Sequence, residues 1–314
     1  MEHSTPSTSI KPRALRVGDT IGVIAPSSNI NQGLLETGCQ ELEGLGFKVR
    51  CRSDIHSQYR YLAGGLDRRV EEFREMLEDS SVTAIFCARG GHGSGHLLEH
   101  LSREEIQRNP KILCGASDIT MLLNAFVKTG VVGFHGPMVA TTFSQGAEAY
   151  NRDVFLGMLV KGERIRFPTL GTKILCKGEA EGRLLGGCLS LLVSTLGTAW
   201  EIDTTDSLLF LEDVDAKPYQ IDRMLTHLRQ AGKLERIGGV IFGEMLGCRQ
   251  HPNQGYQLEE VVQDFFAQLE VPVLFGFPSG HTSKPNVVLP FGVRARLALW
   301  ETKTFETLES AVET

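Results

Sequence analysis

The sequence predicts an α/β fold. A Rossmann- or flavodoxin-like domain built on a parallel sheet spans residues 13–155, a linker spans 156–180, and a smaller mixed β/α domain spans 181–305. Two observations predict this. Through the first half, apolar runs of strand length alternate with amphipathic runs of helix length, the pattern of βαβ units around a parallel sheet. After about residue 150 the pattern changes: residues 161–182 are rich in Gly, Lys and Glu and carry Pro168, and mostly strand-like runs follow. A chain of 314 residues is long enough for two domains with cores of their own.

The elements follow in order. Thr20 to Ala25 is a continuous apolar run that stops at Pro26-Ser27-Ser28, read as a buried strand and its loop. Residues 33–45 place Leu34, Leu35, Leu42 and Leu45 at helical spacing, and Gly46 to Val49 turns into another strand. Residues 66–78 form an amphipathic helix, with Val70, Phe73 and Leu77 on one face and Arg68, Glu71, Glu72 and Glu75 off it. Val82 to Cys87 and Ile112 to Gly115 are the next strands. A helical pattern with Met121, Leu122, Ala125 and Phe126 comes after the second of them. Beyond the linker, Leu208 to Leu211, Gly239 to Phe242 and Val273 to Phe275 read as strands and 221–229 as a helix, while Val293 to Trp300 alternates with period two. The last dozen residues are polar and read as mobile. The first twenty lack the apolar stretch of a secretory signal and read as a short flexible tail.

Composition narrows the function classes. Hydrophobic content of 41% and charged content of 22% fit a soluble globular protein. The net charge is −6 and no Lys/Arg-rich block occurs, so neither nucleic acid nor an anionic membrane is an expected partner. No apolar stretch approaches the ~20 residues that cross a bilayer. The seven cysteines, Cys39, Cys51, Cys87, Cys114, Cys176, Cys188 and Cys248, are dispersed and form no C-x-x-C. This speaks against a disulfide framework or a zinc-thiolate site and fits a reducing cytoplasm.

Ligands of parallel sheets sit outside the carboxyl ends of the strands. Three loops are therefore privileged: Pro26-Ser27-Ser28, Arg89 to Gly95, and Gly115-Ala116-Ser117-Asp118. A serine at a tight strand-to-helix turn suits a nucleophile and suits an ordinary helix cap equally well. The glycine loop Arg89-Gly90-Gly91-His92-Gly93-Ser94-Gly95-His96 fails both nucleotide templates, because His96 stands where the dinucleotide fingerprint needs Gly or Ala and the P-loop needs Lys. Its backbone N–H groups could instead hold an oxyanion. His96-Leu97-Leu98-Glu99-His100 matches a short zinc-peptidase pattern, with both histidines expected on one helix face, but it lacks an identifiable third ligand. Leu208 to Leu211 runs directly into Glu212-Asp213, and His281 sits in the Gly/Pro loop Gly276-Phe277-Pro278-Ser279-Gly280, a place for a general base or for a merely structural histidine.

Taken together and in order, these motifs resemble the LD-carboxypeptidase family of serine peptidases, which includes muramoyltetrapeptide carboxypeptidases and microcin C immunity peptidases. The resemblance runs from about Leu15 to Trp300. It rests on Gly18-Asp19-Thr20-Ile21, Ala25-Pro26-Ser27, Leu62-Ala63-Gly64, Ala88-Arg89-Gly90-Gly91, Gly115-Ala116-Ser117-Asp118, Leu211-Glu212-Asp213, Tyr219 to Leu225, and Gly280-His281 with Asn286 and Leu289-Pro290. It implies Ser117 as nucleophile, Glu212 as acid and His281 as base, with the N–H groups of Gly91 and Asp118 as oxyanion hole. The nucleophile would then lie in the first domain, and the acid and histidine in the second. The activity implied is removal of a terminal D-Ala from cytoplasmic murein tetrapeptides in peptidoglycan recycling, or, in the immunity branch, cleavage of a peptidyl-nucleotide. A small peptide is the expected partner, no cofactor or metal is implied, and family members are commonly homodimers. Arg89 and Arg223 are the cations available for the substrate's terminal carboxylate. The sequence departs from the family at His92, commonly Tyr, and at Cys188, commonly Asn after the paired glycines.

Overall fold

The computed structural model describes residues 9–314, the side chain of Pro252 aside. The first half lays down β1 (Thr20–Ile24), α1 (Gln32–Gly44), β2 (Lys48–Cys51), α2 (Leu66–Glu78), β3 (Val82–Cys87), α3 (Arg103–Arg108), β4 (Ile112–Gly115), α4 (Thr120–Thr129), β5 (Gly133–His135) and α5 (Arg152–Leu159). The second half adds β6 (Lys173–Cys176), β7 (Gly178–Cys188), α6 (Leu189–Ser194), β8 (Ser207–Glu212), α7 (Pro218–Gln230), β9 (Ile237–Gly243), α8 (Leu258–Phe266), β10 (Val273–Phe277), β11 (Leu289–Phe291), β12 (Arg294–Leu299) and β13 (Lys303–Thr307).

Two sheets result. The first has the order β2-β1-β3-β4-β5-β11. Its first five strands are parallel and follow the flavodoxin-like order 2-1-3-4-5. The second has the order β13-β12-β7-β8-β9-β10-β6, with a parallel centre and antiparallel flanks. The mixed α/β fold with a second sheet is as the sequence implied.

Strand β8 shows why the two halves pack as they do. Every residue of β8 is buried. Leu208 and Phe210 join the core of the first sheet, while Leu209 and Leu211 join a second core with Leu189, Leu225 and Phe266 from α6, α7 and α8. Period-two alternation thus sends one face toward the first sheet and the other toward a helical layer.

The chain does not respect a simple division at residues 155 and 181. Residues 156–180 contain the end of α5 and all of β6. The segment 181–305 returns β11 to the first sheet, antiparallel to β5, so the loop between β10 and β11 runs from one sheet to the other. Strand β7 begins inside the Gly- and Glu-rich stretch read as a linker. Its polar half pairs with β12, where Arg294 reaches Glu181 and Arg296 reaches Glu179 across the strands.

Three local expectations are corrected. The last dozen residues are tied down: β13 pairs with β12, Ala311 and Val312 are buried, and Ala14 N–H donates to the carbonyl of Glu313. Of the first twenty residues, 1–8 lie outside those described, and the rest are anchored by buried Ala14 and Leu15. Glu72 is fully buried within α2, because Arg68 pairs with it at 2.5 Å and the N–H of Ala25 donates to it at 2.8 Å.

Candidate active site

Three strand-end loops of the first sheet meet at one buried carboxylate. Asp118 Oδ2 accepts from Ser27 Oγ at 2.6 Å and from Ser94 N at 2.8 Å, and Ser94 Oγ donates to the Asp118 carbonyl at 2.5 Å. Ser27 follows β1, Ser94 follows β3 and Asp118 follows β4, so a single side chain gathers all three. From below, buried Arg69 of α2 donates to the carbonyls of Pro26 and Gly93, both at 2.7 Å.

Ser117 opens a short 3-10 turn (Ser117–Ile119) between β4 and α4, with φ at +59°. Left-handed backbone at a non-glycine residue is strained and concentrates at functional sites. Gly90 lies directly against this turn: a Cβ there would stand 2.8 Å from Ser117 Cβ and 3.2 Å from Asp118 N. The absence of a side chain lets the Gly90-Gly91 backbone approach the Ser117-Asp118 peptide, the arrangement an oxyanion hole needs.

Glu212 ends β8, fully buried. Its Oε2 accepts from His281 Nδ1 at 2.7 Å and from the His281 N–H at 3.1 Å. Gly280, at φ +77°, permits this approach, since a Cβ there would lie 2.6 Å from Glu212 Cδ. Burial alone would raise the Glu212 pKa, but the bond and charge of His281 outweigh it and hold the carboxyl below its ordinary value. Burial likewise opposes charge on His281, and the Glu212 bond and the nearby carboxylates outweigh it and raise the imidazole.

His281 rides on the loop that crosses between the sheets. Asn286 Nδ2 donates to the Gly280 carbonyl at 2.9 Å, and Asn286 N donates to Ala149 O at 2.9 Å, tying the loop to the first half. Thr282 Oγ1 donates to Glu244 Oε2 at 2.6 Å, tying it to the end of β9. Where the halves meet, Cys188 N, at the end of β7, donates to Thr120 Oγ1 at 3.0 Å.

Ser117 and His281 line one cavity of about 610 Å³ together with Arg89, Gly91, Glu148 and Lys284. Four expected residues are thus gathered around it: Ser117, His281, Gly91 and Arg89, with Glu212 behind the histidine. Arg223 is not among the lining residues. It projects from α7 and stacks over the exposed ring of Tyr219 at 5.5 Å. His96 and His100 lie in a 3-10 helix (Ser94–His100), where residues four apart point roughly 120° from one another rather than sharing a face. His96 instead meets Arg69 at 3.3 Å. Among the described residues no group of three or more His, Cys, Asp or Glu could hold a metal ion. Neither family departure enters the lining: His92 is exposed and edge-on to Tyr61, and Cys188 is buried near Ser190. The sequence did not single out Lys284 and Glu148, exposed charges that line the cavity, or His135, behind Glu212.

Ser117 and the Glu212-paired His281 thus stand on one cavity, residue types that acyl transfer uses. Residues 21–136 match the LD-carboxypeptidase N-terminal domain and residues 181–297 the LD-carboxypeptidase C-terminal domain. A probable murein peptide carboxypeptidase of Bacillus subtilis is 40% identical over 295 residues, covering 93% of this chain and 92% of the relative. This chain belongs to the LD-carboxypeptidase family. The murein tetrapeptide carboxypeptidase of Pseudomonas aeruginosa is 32% identical over 288 residues, covering 88% and 92% of the two chains. The crystal structure of an MccF-like protein from Bacillus anthracis superposes with a TM-score of 0.86 at 27% identity, covering 96% of this chain and all of that one. As an LD-carboxypeptidase the chain is a serine-type hydrolase, and no helix among its described residues is long and apolar enough to cross a membrane.

Proposed function

We propose that this enzyme releases terminal D-Ala from murein tetrapeptides in the cytoplasm, with Ser117 as nucleophile, His281 as general base and Glu212 as its orienting acid. The single observation that carries this reading is the 2.7 Å bond from His281 Nδ1 to Glu212, which leaves Nε2 as the proton acceptor on a ring that lines the cavity with Ser117. His281 takes the Ser117 proton as Oγ attacks the carbonyl carbon of the L,D bond. The N–H groups of Gly91 and Asp118 receive the oxyanion. His281 then protonates the departing amine, D-Ala leaves, and a water activated by the same ring hydrolyses the acyl-enzyme. Glu212 stays ionised throughout. Arg89 pairs with the terminal carboxylate.

The cavity also bears on substrate class. Its volume suits a short peptide. No Phe, Tyr or Trp is among its lining residues, Trp300 is half-exposed elsewhere, and Trp200 packs against the first core. Stacking on a nucleobase favours an aromatic face, so the peptide reading is preferred over the peptidyl-nucleotide that the immunity branch of the family suggests.

The deciding experiment is mass-spectrometric detection of D-Ala released from L-Ala-γ-D-Glu-meso-diaminopimelate-D-Ala. Wild type is run with and without EDTA beside Ser117→Ala. The expected result is a loss of about 10⁴-fold or more in the variant and none with chelator. An inactive wild type on this peptide, together with turnover of a peptidyl-nucleotide, overturns the substrate. Activity retained by Ser117→Ala overturns the triad.

A further inference from the structure

Glu212 has two carboxylate oxygens, and only Oε2 is engaged by His281. Oε1 is buried without a hydrogen-bond partner among the described residues. It faces His135 Nε2 at 4.0 Å, and that nitrogen is likewise buried without a partner. His135 ends β5, one residue before the cavity-lining Gly136, with Gly115 of β4 beside it on one strand and Leu289 of β11 on the other. Its fully buried ring lies between Phe210 at 5.1 Å and Phe291 at 5.3 Å. Its Nδ1 meets Ser279 Oγ at 3.2 Å, two residues before His281.

We propose that His135 is a positioning residue for the triad: as its Nε2–H tautomer it donates to Glu212 Oε1 and holds the carboxylate so that Oε2 stays on His281. This rests on the triad reading above. Charge decides the tautomer. With the proton on Nδ1, a lone pair on Nε2 would face a carboxylate lone pair in a dry site, and two acceptors repel. With the proton on Nε2, Ser279 donates its hydroxyl to Nδ1, and every polar atom of the ring gains a function. Closing about 1 Å brings Nε2 and Oε1 into N–H···O range, and unpaired buried polar groups favour that closure.

The ring stays neutral while it does this. Burial pushes the His135 pKa down to about 4, against the opposing pull of Glu212 and with the help of His281. The other titratable groups bearing on the pair are Asp213 and Asp215, both close to His281, and the thiols of Cys188 and Cys248. The His135 hydrogen bond stabilises the Glu212 anion. Its loss favours adding a proton to the Glu212–His281 pair, and the acid limb of kcat/KM moves to higher pH.

The test compares His135→Leu and His135→Gln with wild type and Ser117→Ala on the tetrapeptide, alongside ¹⁵N NMR of histidine-labelled wild type. His135→Leu is expected to lower kcat about 10- to 100-fold with KM within about twofold, and to raise the acid limb by about one pH unit. Gln can place an amide N–H near the Nε2 position, so His135→Gln is expected to recover most of kcat and return the limb. The NMR spectrum should show the proton on Nε2 at neutral pH. A wild-type kcat and pH profile in His135→Leu, equal impairment in Leu and Gln variants, or a proton on Nδ1 each overturns the assignment. The NMR arm uses unmodified protein and decides even if the variants do not fold. Activity surviving in Ser117→Ala is the separate signature that the triad reading itself fails.

Discussion

The carboxylate of Asp118 accepts the hydroxyl of Ser27 at 2.6 Å across 91 residues of sequence. The residue that follows Ser117 therefore also fixes the loop after β1, while Ser94 brings in the loop after β3. Ligand sites in this fold form where the loops of neighbouring parallel strands open. Here those loops are sewn together by one buried anion, with the Arg69 guanidinium supplying compensating charge nearby.

Asp118→Asn keeps the shape and removes the charge. The amide can still accept the Ser94 N–H or the Ser27 hydroxyl, but it can no longer balance Arg69. Destabilisation of about 1–3 kcal/mol is expected, with kcat falling more than KM rises because the Asp118 N–H, the proposed oxyanion donor, shifts with the turn. Chemical denaturation and steady-state kinetics on one preparation read both.

Ser117 pays for its geometry in stability. At φ +59° a side chain is strained, whereas glycine adopts that conformation freely. Ser117→Gly should abolish activity yet raise stability by about 1 kcal/mol over Ser117→Ala. Thermal melts of the two inactive variants check this, and an equal or lower midpoint for the glycine variant contradicts it.

The Glu212–His281 pair sets the pH dependence. His281 is raised above its ordinary 6.5, so the neutral base is lost as pH falls through a value above 6.5, and kcat/KM rises with pH through that value. The stability from His281 runs the other way. It is fully present below 6.5 and is lost as pH rises through the raised pKa. Glu212 is held below its ordinary 4.5, so its stability is present above 4.5 and is lost as pH falls through the lowered pKa. Glu212→Gln should flatten both slopes of a midpoint-against-pH curve and cut kcat by about 10⁴-fold.

Arg89 and Arg223 separate cleanly. Arg89 lines the cavity, and Arg223 stacks on Tyr219 away from it. Arg89→Ala should raise KM about 10- to 100-fold through loss of a charge-assisted contact to the terminal carboxylate. Arg223→Ala should change neither constant more than about twofold. Initial rates over a range of tetrapeptide concentrations decide it.

The long apolar runs were legible in the sequence because burial on both faces leaves a strand no choice of composition. Helix 66–78 was legible because its apolar spacing is regular, but the burial of Glu72 was not, since a salt bridge within the helix reads like a solvated one. Strands β5 and β11 have three residues each, too few for a period to register. Strand β7 was hidden by the charges of its first half, where exposed Glu179 and Glu181 pair at the surface with Arg296 and Arg294 of β12.

Sequence alone determined which residue types could do chemistry and where each stood: a serine at a strand-to-helix turn, an acid at a strand end, a histidine in a tight loop. Each is a local property of backbone and composition. Only tertiary structure decided that the acid and the histidine, 69 residues apart, share a 2.7 Å bond. It also decided that Asp118 gathers three loops, that His96 and His100 diverge, and that His135 stands behind Glu212. These depend on which strands become neighbours, and strand order follows from the packing of whole faces, not from any one segment.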